Sequence, residues 1–137
     1  MISFHSELDF ELLQSEMLQD WITKSILEEG KKLGELNYIF LDDEALLKIN
    51  QEHLQHDYYT DIISFDYTLG RIISGDMFIS IDRIRDNAKQ FTTDFEEELH
   101  RVMIHGVLHY CGYKDKEESD IKEMRSKEDY YLSLRPN

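Results

Sequence analysis

The segment from Asp94 to Cys111 constrains the fold more than any other, because it predicts a helix with very little polar surface. Three glutamates, at positions 96 to 98, stand near its start, where the positive end of the helix dipole favours negative charge. The apolar side chains that follow are Leu99, Val102, Met103, Ile104, Val107 and Leu108. A helix with so few polar positions has to be covered by other elements, so we predict that it lies inside the domain.

The rest of the chain predicts strands mixed with helices. Residues 2–10 predict an edge strand and residues 36–43 a buried strand, and two β-branched and aromatic runs separated by Thr68, Leu69 and Gly70 predict a β-hairpin. Further helices are predicted at 12–32, after Asp42 or Asp43, at 82–91 and at 116–134, the last one charged and exposed. We therefore predict an α+β fold with a central mixed β-sheet of about four strands, covered by about five helices that include the buried one.

Length and composition favour a single domain over residues 1–137. The chain is 41% hydrophobic, which is enough for a core, and neither a repeat nor a linker interrupts it. Cys111 is the single cysteine, which excludes an internal disulfide and suits a reducing compartment. The start does not resemble a signal peptide and no apolar stretch has membrane-spanning length, so we expect a cytoplasmic protein without a membrane partner. The net charge of −14 opposes sequence-independent nucleic-acid binding, and no DNA partner is expected.

The segment HGVLHYCGYKD, residues 105–115, carries the candidate chemistry. His105 and His109 are four residues apart, so on a helix their rings project from one face and can bind a single ion. Gly112 permits the left-handed turn that ends a helix, and this reversal could bring Asp115 back to the same ion. Two imidazoles and one carboxylate would leave a coordination position open for a water molecule. The alternative is a pair of core histidines bonded to other partners, with Asp115 as an ordinary loop residue.

Three segments follow one another along the chain: TDIISFDY at 60–67, SGDMFIS at 74–80 and HGVLHYCGYKD at 105–115. Together they resemble the YbeY family of bacterial rRNA-maturation endoribonucleases, in which similar segments recur in this order. The likeness extends from about Leu36 to Asp120. It implies an α+β fold and a zinc-dependent, single-strand-specific RNase that acts in 16S rRNA 3′-end maturation and ribosome quality control. The implied partners are ribosomal RNA and ribosomal proteins or assembly factors.

Two positions depart from the family pattern. Asp115 stands where the family usually has a third histidine, so the implied ligand set is His105, His109 and Asp115. Zinc is the expected ion, but a carboxylate oxygen is a harder ligand and relaxes the preference toward manganese or another divalent metal. Leu54 stands where the family commonly has an arginine, so one cation expected to face a phosphate is missing.

Three further residues are candidates for substrate binding. Ser64 lies in the strand that resembles the wall of the family's cleft and could donate a hydrogen bond to substrate, although a plain structural role in the strand is an equal alternative. Arg85 and Lys89 share one face of a predicted helix and could contact phosphate. Their alternative role is that of ordinary surface charges.

These residues favour a metal-dependent endoribonuclease in which water activated at the His105, His109 and Asp115 site attacks a phosphodiester. The same spacing matches the metzincin peptidases, but Gly106 stands where a zinc peptidase has its catalytic glutamate. A metallohydrolase of another substrate, such as a peptidase, is therefore one alternative. The other is a non-catalytic ribosome-assembly factor, which the net acidity and Leu54 suggest.

Overall fold

The computed structural model of the chain describes residues 1–136, which form four strands and five helices. The strands are β1 (Ile2–Ser6), β2 (Lys32–Leu41), β3 (Ile62–Asp66) and β4 (Ile72–Ser80). The helices are α1 (Ser15–Glu28), α2 (Asp43–Leu54), α3 (Ile81–Gln90), α4 (Phe95–Tyr110) and α5 (Glu118–Ser133). The predicted α+β class is confirmed.

The strands form one mixed sheet in the order β1-β2-β4-β3. β1 and β4 both run parallel to β2, and β1 lies at the edge as predicted. β3 pairs antiparallel with β4, with Ile63 opposite Phe78, which confirms the predicted hairpin. Because parallel neighbours need a crossover connection, α1 links β1 to β2, and α2 and β3 lie between β2 and β4 in the chain.

The helices cover both faces of this sheet. The main core packs α1, α4 and α5 against one face, and Leu18, Tyr38 and Tyr131 are fully buried in it. α2 covers the other face through a smaller cluster formed by Leu41, Leu46 and Ile63. None of the helices within residues 1–136 is both long and apolar enough to cross a bilayer.

Three predicted segments differ from the structure in their limits or their exposure. β2 begins at Lys32, four residues before the predicted strand, and its pairing with β4 passes through an irregularity between Leu33 and Leu36. α1 begins at Ser15, which leaves Leu13 outside the helix and exposed. The prediction that the last helix is exposed was wrong for one face of α5, which buries Met124, Glu128, Tyr131 and Leu132.

A tyrosine and a glycine fix the end of α4 against the sheet. The Tyr110 hydroxyl donates to the backbone oxygens of Phe65, at 3.0 Å, and Asp76, at 3.1 Å. Gly75 leaves space for this contact, because a Cβ at that position would lie 2.5 Å from both the Phe65 oxygen and the Tyr110 hydroxyl. The sheet backbone therefore determines where the last turn of α4 lies.

Gly106 allows α4 to approach the sheet between the two candidate ligand histidines. A Cβ at Gly106 would overlap the sulfur of Met77 and lie 3.1 Å from Cδ1 of Ile62. Met77 is fully buried, so its side chain has few alternative positions. A glutamate at this position, as in zinc peptidases, would be directed into the core.

We predict that substitutions at Gly106 and Met77 are coupled. In the native background, overpacking by Gly106→Ala should cost about 1–3 kcal/mol and offset the roughly 1 kcal/mol that alanine gains over glycine in a helix. With Met77→Ala the added methyl group has space, so Gly106→Ala should then stabilise the protein. Urea unfolding of all four proteins measures the coupling, and effects that add to within about 0.5 kcal/mol would contradict the contact.

His100 on α4 is a buried histidine held in its neutral form. Its Nδ1 accepts a hydrogen bond of 2.7 Å from Arg135, so the ring proton lies on Nε2. This Nε2 has no hydrogen-bond partner among residues 1–136, and the nearest carboxylate oxygen paired with it, on Glu96, is 3.6 Å away. Burial, and next the charge of Arg135, lowers the pKa of His100 to about 4.

This histidine should make the protein sensitive to acid. An unfolded chain binds a proton at His100 near pH 6.5, whereas the folded chain does so only near pH 4. The free energy of unfolding should therefore fall as the pH drops through this window, by up to about 3 kcal/mol from this residue. Urea unfolding at several pH values should show a flatter dependence for His100→Gln, and identical slopes for the two proteins would refute the assignment.

Candidate metal centre

The end of α4 reverses the chain and returns an acid to the helix. Gly112 adopts a φ of 106°, the left-handed conformation that the sequence predicted for it. Its N–H donates to the oxygen of His109 and the N–H of Tyr113 donates to that of Leu108, both at 3.0 Å, which is the Schellman pattern of a helix end. Asp115 follows this turn and lies beside the histidines.

The three predicted ligand side chains converge on one point. The Nε2 atoms of His105 and His109 are 3.0 Å apart, and Oδ2 of Asp115 lies 3.3 Å from the first and 3.2 Å from the second. A tetrahedral ion with bonds of 2.0–2.1 Å places its ligand atoms about 3.3 Å apart. The spacing of these three atoms therefore fits a small divalent cation.

The other nitrogen of each ring determines which atoms face that point. Nδ1 of His109 is 3.0 Å from the backbone oxygen of Tyr113, and because a carbonyl only accepts, this Nδ1 carries the proton. Nδ1 of His105 is 2.6 Å from Oε2 of Glu128, which is likewise an acceptor when ionised. In the neutral rings both Nε2 atoms then present lone pairs to the Asp115 carboxylate. Three lone pairs at this distance repel one another unless a cation or a proton lies between them.

Glu128 contacts the candidate site and was not predicted from the sequence. It is only 5% exposed, and its other oxygen accepts a 2.9 Å hydrogen bond from Arg101. Burial opposes ionisation of Glu128, but the contacts with His105 and Arg101 hold its pKa below the ordinary value. Burial likewise opposes the charged form of His105, yet Glu128 raises the pKa of this ring. A carboxylate on the distal nitrogen of a metal-binding histidine fixes its tautomer and increases its basicity.

A cavity of about 330 Å³ opens beside the three converging side chains. His105 and Asp115 form part of its wall, and α3, α4 and α5 supply most of the remainder. Its polar lining includes Asp61, Asn87, Glu98, Arg101, Arg125 and Glu128. Its apolar lining consists of Ile62, Phe91, Val102, Ile121 and Met124. This volume is within the range of small-molecule sites and is large enough for part of a nucleotide.

The other predicted substrate-binding residues lie outside this cavity. Ser64 is exposed on β3, opposite Met77 and beside the Tyr110 hydroxyl. Arg85 is exposed on α3 with its guanidinium 5.6 Å from the ring of Phe95, and Lys89 is exposed one turn later. None of these three residues lines the cavity that His105 lines, so their contact with substrate stays a prediction.

Comparison with known proteins identifies the family. The family model described as Endoribonuclease YbeY matches residues 3–134. The chain belongs to the YbeY family. This match extends beyond both ends of the resemblance seen in the sequence, and it includes Glu128 on α5 as well as the three converging side chains.

Individual relatives agree over nearly the whole chain. The protein named Endoribonuclease YbeY of Flavobacterium psychrophilum is 59% identical over 98% of this chain and 96% of its own. The protein of the same name from Flavobacterium johnsoniae is 56% identical over the same shares. The solution structure of TM1509 from Thermotoga maritima aligns with a TM-score of 0.70 at 26% identity, covering 97% of this chain and 87% of that one. The α+β fold is thus shared with a solved structure.

We predict that Glu128 tunes metal affinity through His105. Glu128→Gln keeps the size of the side chain but removes the negative charge that faces Nδ1 of His105, and zinc affinity should fall by about tenfold or more. Competition against a chromophoric zinc chelator measures this change. Asp129→Asn is the matched control, because Asp129 accepts from the other side of the same Arg101 without touching a histidine. Equal affinities for the native protein and Glu128→Gln would refute the role.

Proposed function

We propose that this protein is a metal-dependent, single-strand-specific endoribonuclease that acts in ribosomal RNA maturation, at the 16S 3′ end, and in ribosome quality control. The observation that carries the proposal is the convergence of three lone-pair atoms within 3.0–3.3 Å, beside a cavity open to substrate. Membership of the YbeY family supports the RNase activity. The proposed setting is the cytoplasm, with ribosomal RNA and ribosomal proteins or assembly factors as partners.

His105, His109 and Asp115 would hold the ion, for which we propose zinc. A divalent ion bound there supplies a Lewis acid that can activate water near neutral pH and stabilise charge on a phosphate. The chain's own contribution is to hold the ligands: Glu128 orients His105, and the Tyr113 oxygen orients His109. The carboxylate of Asp115 also suits manganese, so the identity of the metal is part of the proposal.

Arg125 is the side chain that we propose to contact the RNA backbone. It lines the cavity, its side chain is 57% exposed, and its contact with Glu128 is long at 3.6 Å. Arg101 lines the same cavity, but its guanidinium already donates to Glu128 and Asp129. Arg125 can therefore meet a phosphate, in a chain where Leu54 stands in place of the family's usual arginine.

A peptidase is the second candidate, suggested only by the metzincin-like spacing. Gly106 occupies the glutamate position, and Glu98, which lines the cavity, lies seven residues before His105. Cleavage of casein with no cleavage of single-stranded RNA would favour that candidate. Binding of ribosomal components without nuclease activity would favour the non-catalytic assembly factor.

We predict that His109→Ala abolishes both metal binding and RNA cleavage. The substitution removes one of the three ligand atoms. It also removes the repulsion between His109 and the other two ligands, which a bound cation would offset. The assay is cleavage of a single-stranded RNA oligonucleotide, with elemental analysis of the same preparation. Asp115→Ala should behave in the same way.

His53→Ala is the matched control, because His53 is exposed and packs edge-on against Phe65, away from the cavity. It should retain both metal and activity. A metal-free His109→Ala protein with native cleavage rates would disprove the proposed mechanism.

A further inference from the structure

Glu98 on α4 is a largely buried residue whose carboxylate has no hydrogen-bond partner within the described residues. It is only 5% exposed, and its side chain makes no hydrogen bond or ion pair with residues 1–136. Arg101, one turn further along the helix, directs its guanidinium to Glu128 and Asp129 instead. Glu98 lines the cavity beside the candidate metal centre. Its oxygens are not among the fully enclosed polar atoms that lack a partner, so they open onto the cavity, where a ligand can donate hydrogen bonds to them in place of water.

The position of Glu98 separates it from the metal centre itself. His105 lies seven residues further along α4, which is about 10 Å along a helix axis. The carboxylate of Glu98 is not one of the groups that converge at that centre, which are His105, His109 and Asp115. Glu98 and His105 line the same cavity, so a nucleotide whose phosphate lies at the metal centre can place its base towards Glu98.

Other residues that line the cavity offer a nucleotide base two kinds of contact: hydrogen bonds to its edge and stacking on its face. Asp61 accepts a 3.2 Å hydrogen bond from the Asn87 amide, which adds acceptor oxygens to the same wall. Burial raises the pKa of both Asp61 and Glu98. Phe91 lines the same cavity and is 57% exposed, so its ring is available for stacking. Proteins that recognise single-stranded RNA combine stacking on an aromatic ring with hydrogen bonds to base edges.

We propose, as an extension of the proposed RNase function, that Glu98 and Phe91 form a base-binding subsite that prefers guanine. A carboxylate accepts two hydrogen bonds side by side. Guanine presents two adjacent N–H donors on its Watson–Crick edge, whereas uracil presents one donor between two carbonyl oxygens. Adenine and cytosine each place an acceptor nitrogen beside the amino group, so they should bind with intermediate affinity.

The test measures nucleotide binding to the full chain, with GMP and UMP as probes and chemical-shift titration as the readout. GMP should bind at least about tenfold more tightly than UMP, as expected for a bidentate contact. Glu98→Gln should remove most of that difference, because an amide offers a donor where guanine has one. Equal binding of GMP and UMP, or a preference unchanged by Glu98→Gln, would overturn the subsite.

Phe91→Ala is a second variant that does not depend on a buried position. It should weaken binding of both nucleotides by about fivefold or more through lost stacking. Tyr67→Ala is its control, because Tyr67 is equally exposed, at 58%, but does not line the cavity. If Phe91→Ala binds both nucleotides as the native protein does, the stacking role is wrong.

The same titration with His109→Ala separates this proposal from the RNase function. The guanine preference should survive in that variant, because Glu98 and Phe91 do not contact the metal ligands. A preference without any RNA cleavage by the native protein would reject the RNase function and keep the subsite. RNA cleavage by the native protein without a guanine preference would keep the RNase function and reject the subsite.

Discussion

Repulsion among three lone-pair atoms is the constraint on which the candidate site depends. Nε2 of His105, Nε2 of His109 and Oδ2 of Asp115 face one another because hydrogen bonds on the far sides of both rings hold the protons there. One of these hydrogen bonds comes from the turn after α4 and the other from α5. When both rings are neutral, the fold therefore has to keep α4, its turn and α5 together against an unfavourable contact, and a bound cation would turn that contact into a favourable one.

Two residues of α4, Gly106 and Tyr110, together with Gly75 of β4 explain how such a helix can be held firmly. Gly106 lets the helix approach Met77, and the Tyr110 hydroxyl reaches the sheet backbone in the space that Gly75 leaves. A helix held at both points cannot rotate to separate the histidines without breaking core packing. The absence of a side chain at Gly106 thus serves the packing of the site, and this also explains why the glutamate of zinc peptidases has no place here.

Much of the site was predictable because its determinants are local. The helical spacing of His105 and His109 and the turn at Gly112 lie within eleven residues, where periodicity and glycine conformation are informative. Glu128 was not predicted because its contact with His105 spans 23 residues. In a helix with many charged residues, the sequence also does not distinguish the one buried acid from the exposed ones. The earlier start of β2 was missed for a similar reason: its first pairs depend on β4, some 40 residues away.

The net charge of −14 limits how this protein could bind RNA in the function we propose. Electrostatic attraction to phosphates needs clustered cations, and the cavity offers Arg125 among several carboxylates. A divalent ion at His105, His109 and Asp115 would add two positive charges where the scissile phosphate has to lie. Contacts to a base by Glu98 and Phe91 would add affinity that does not depend on phosphate charge. An acidic nuclease of this kind should therefore select its RNA by the base and the metal more than by the backbone.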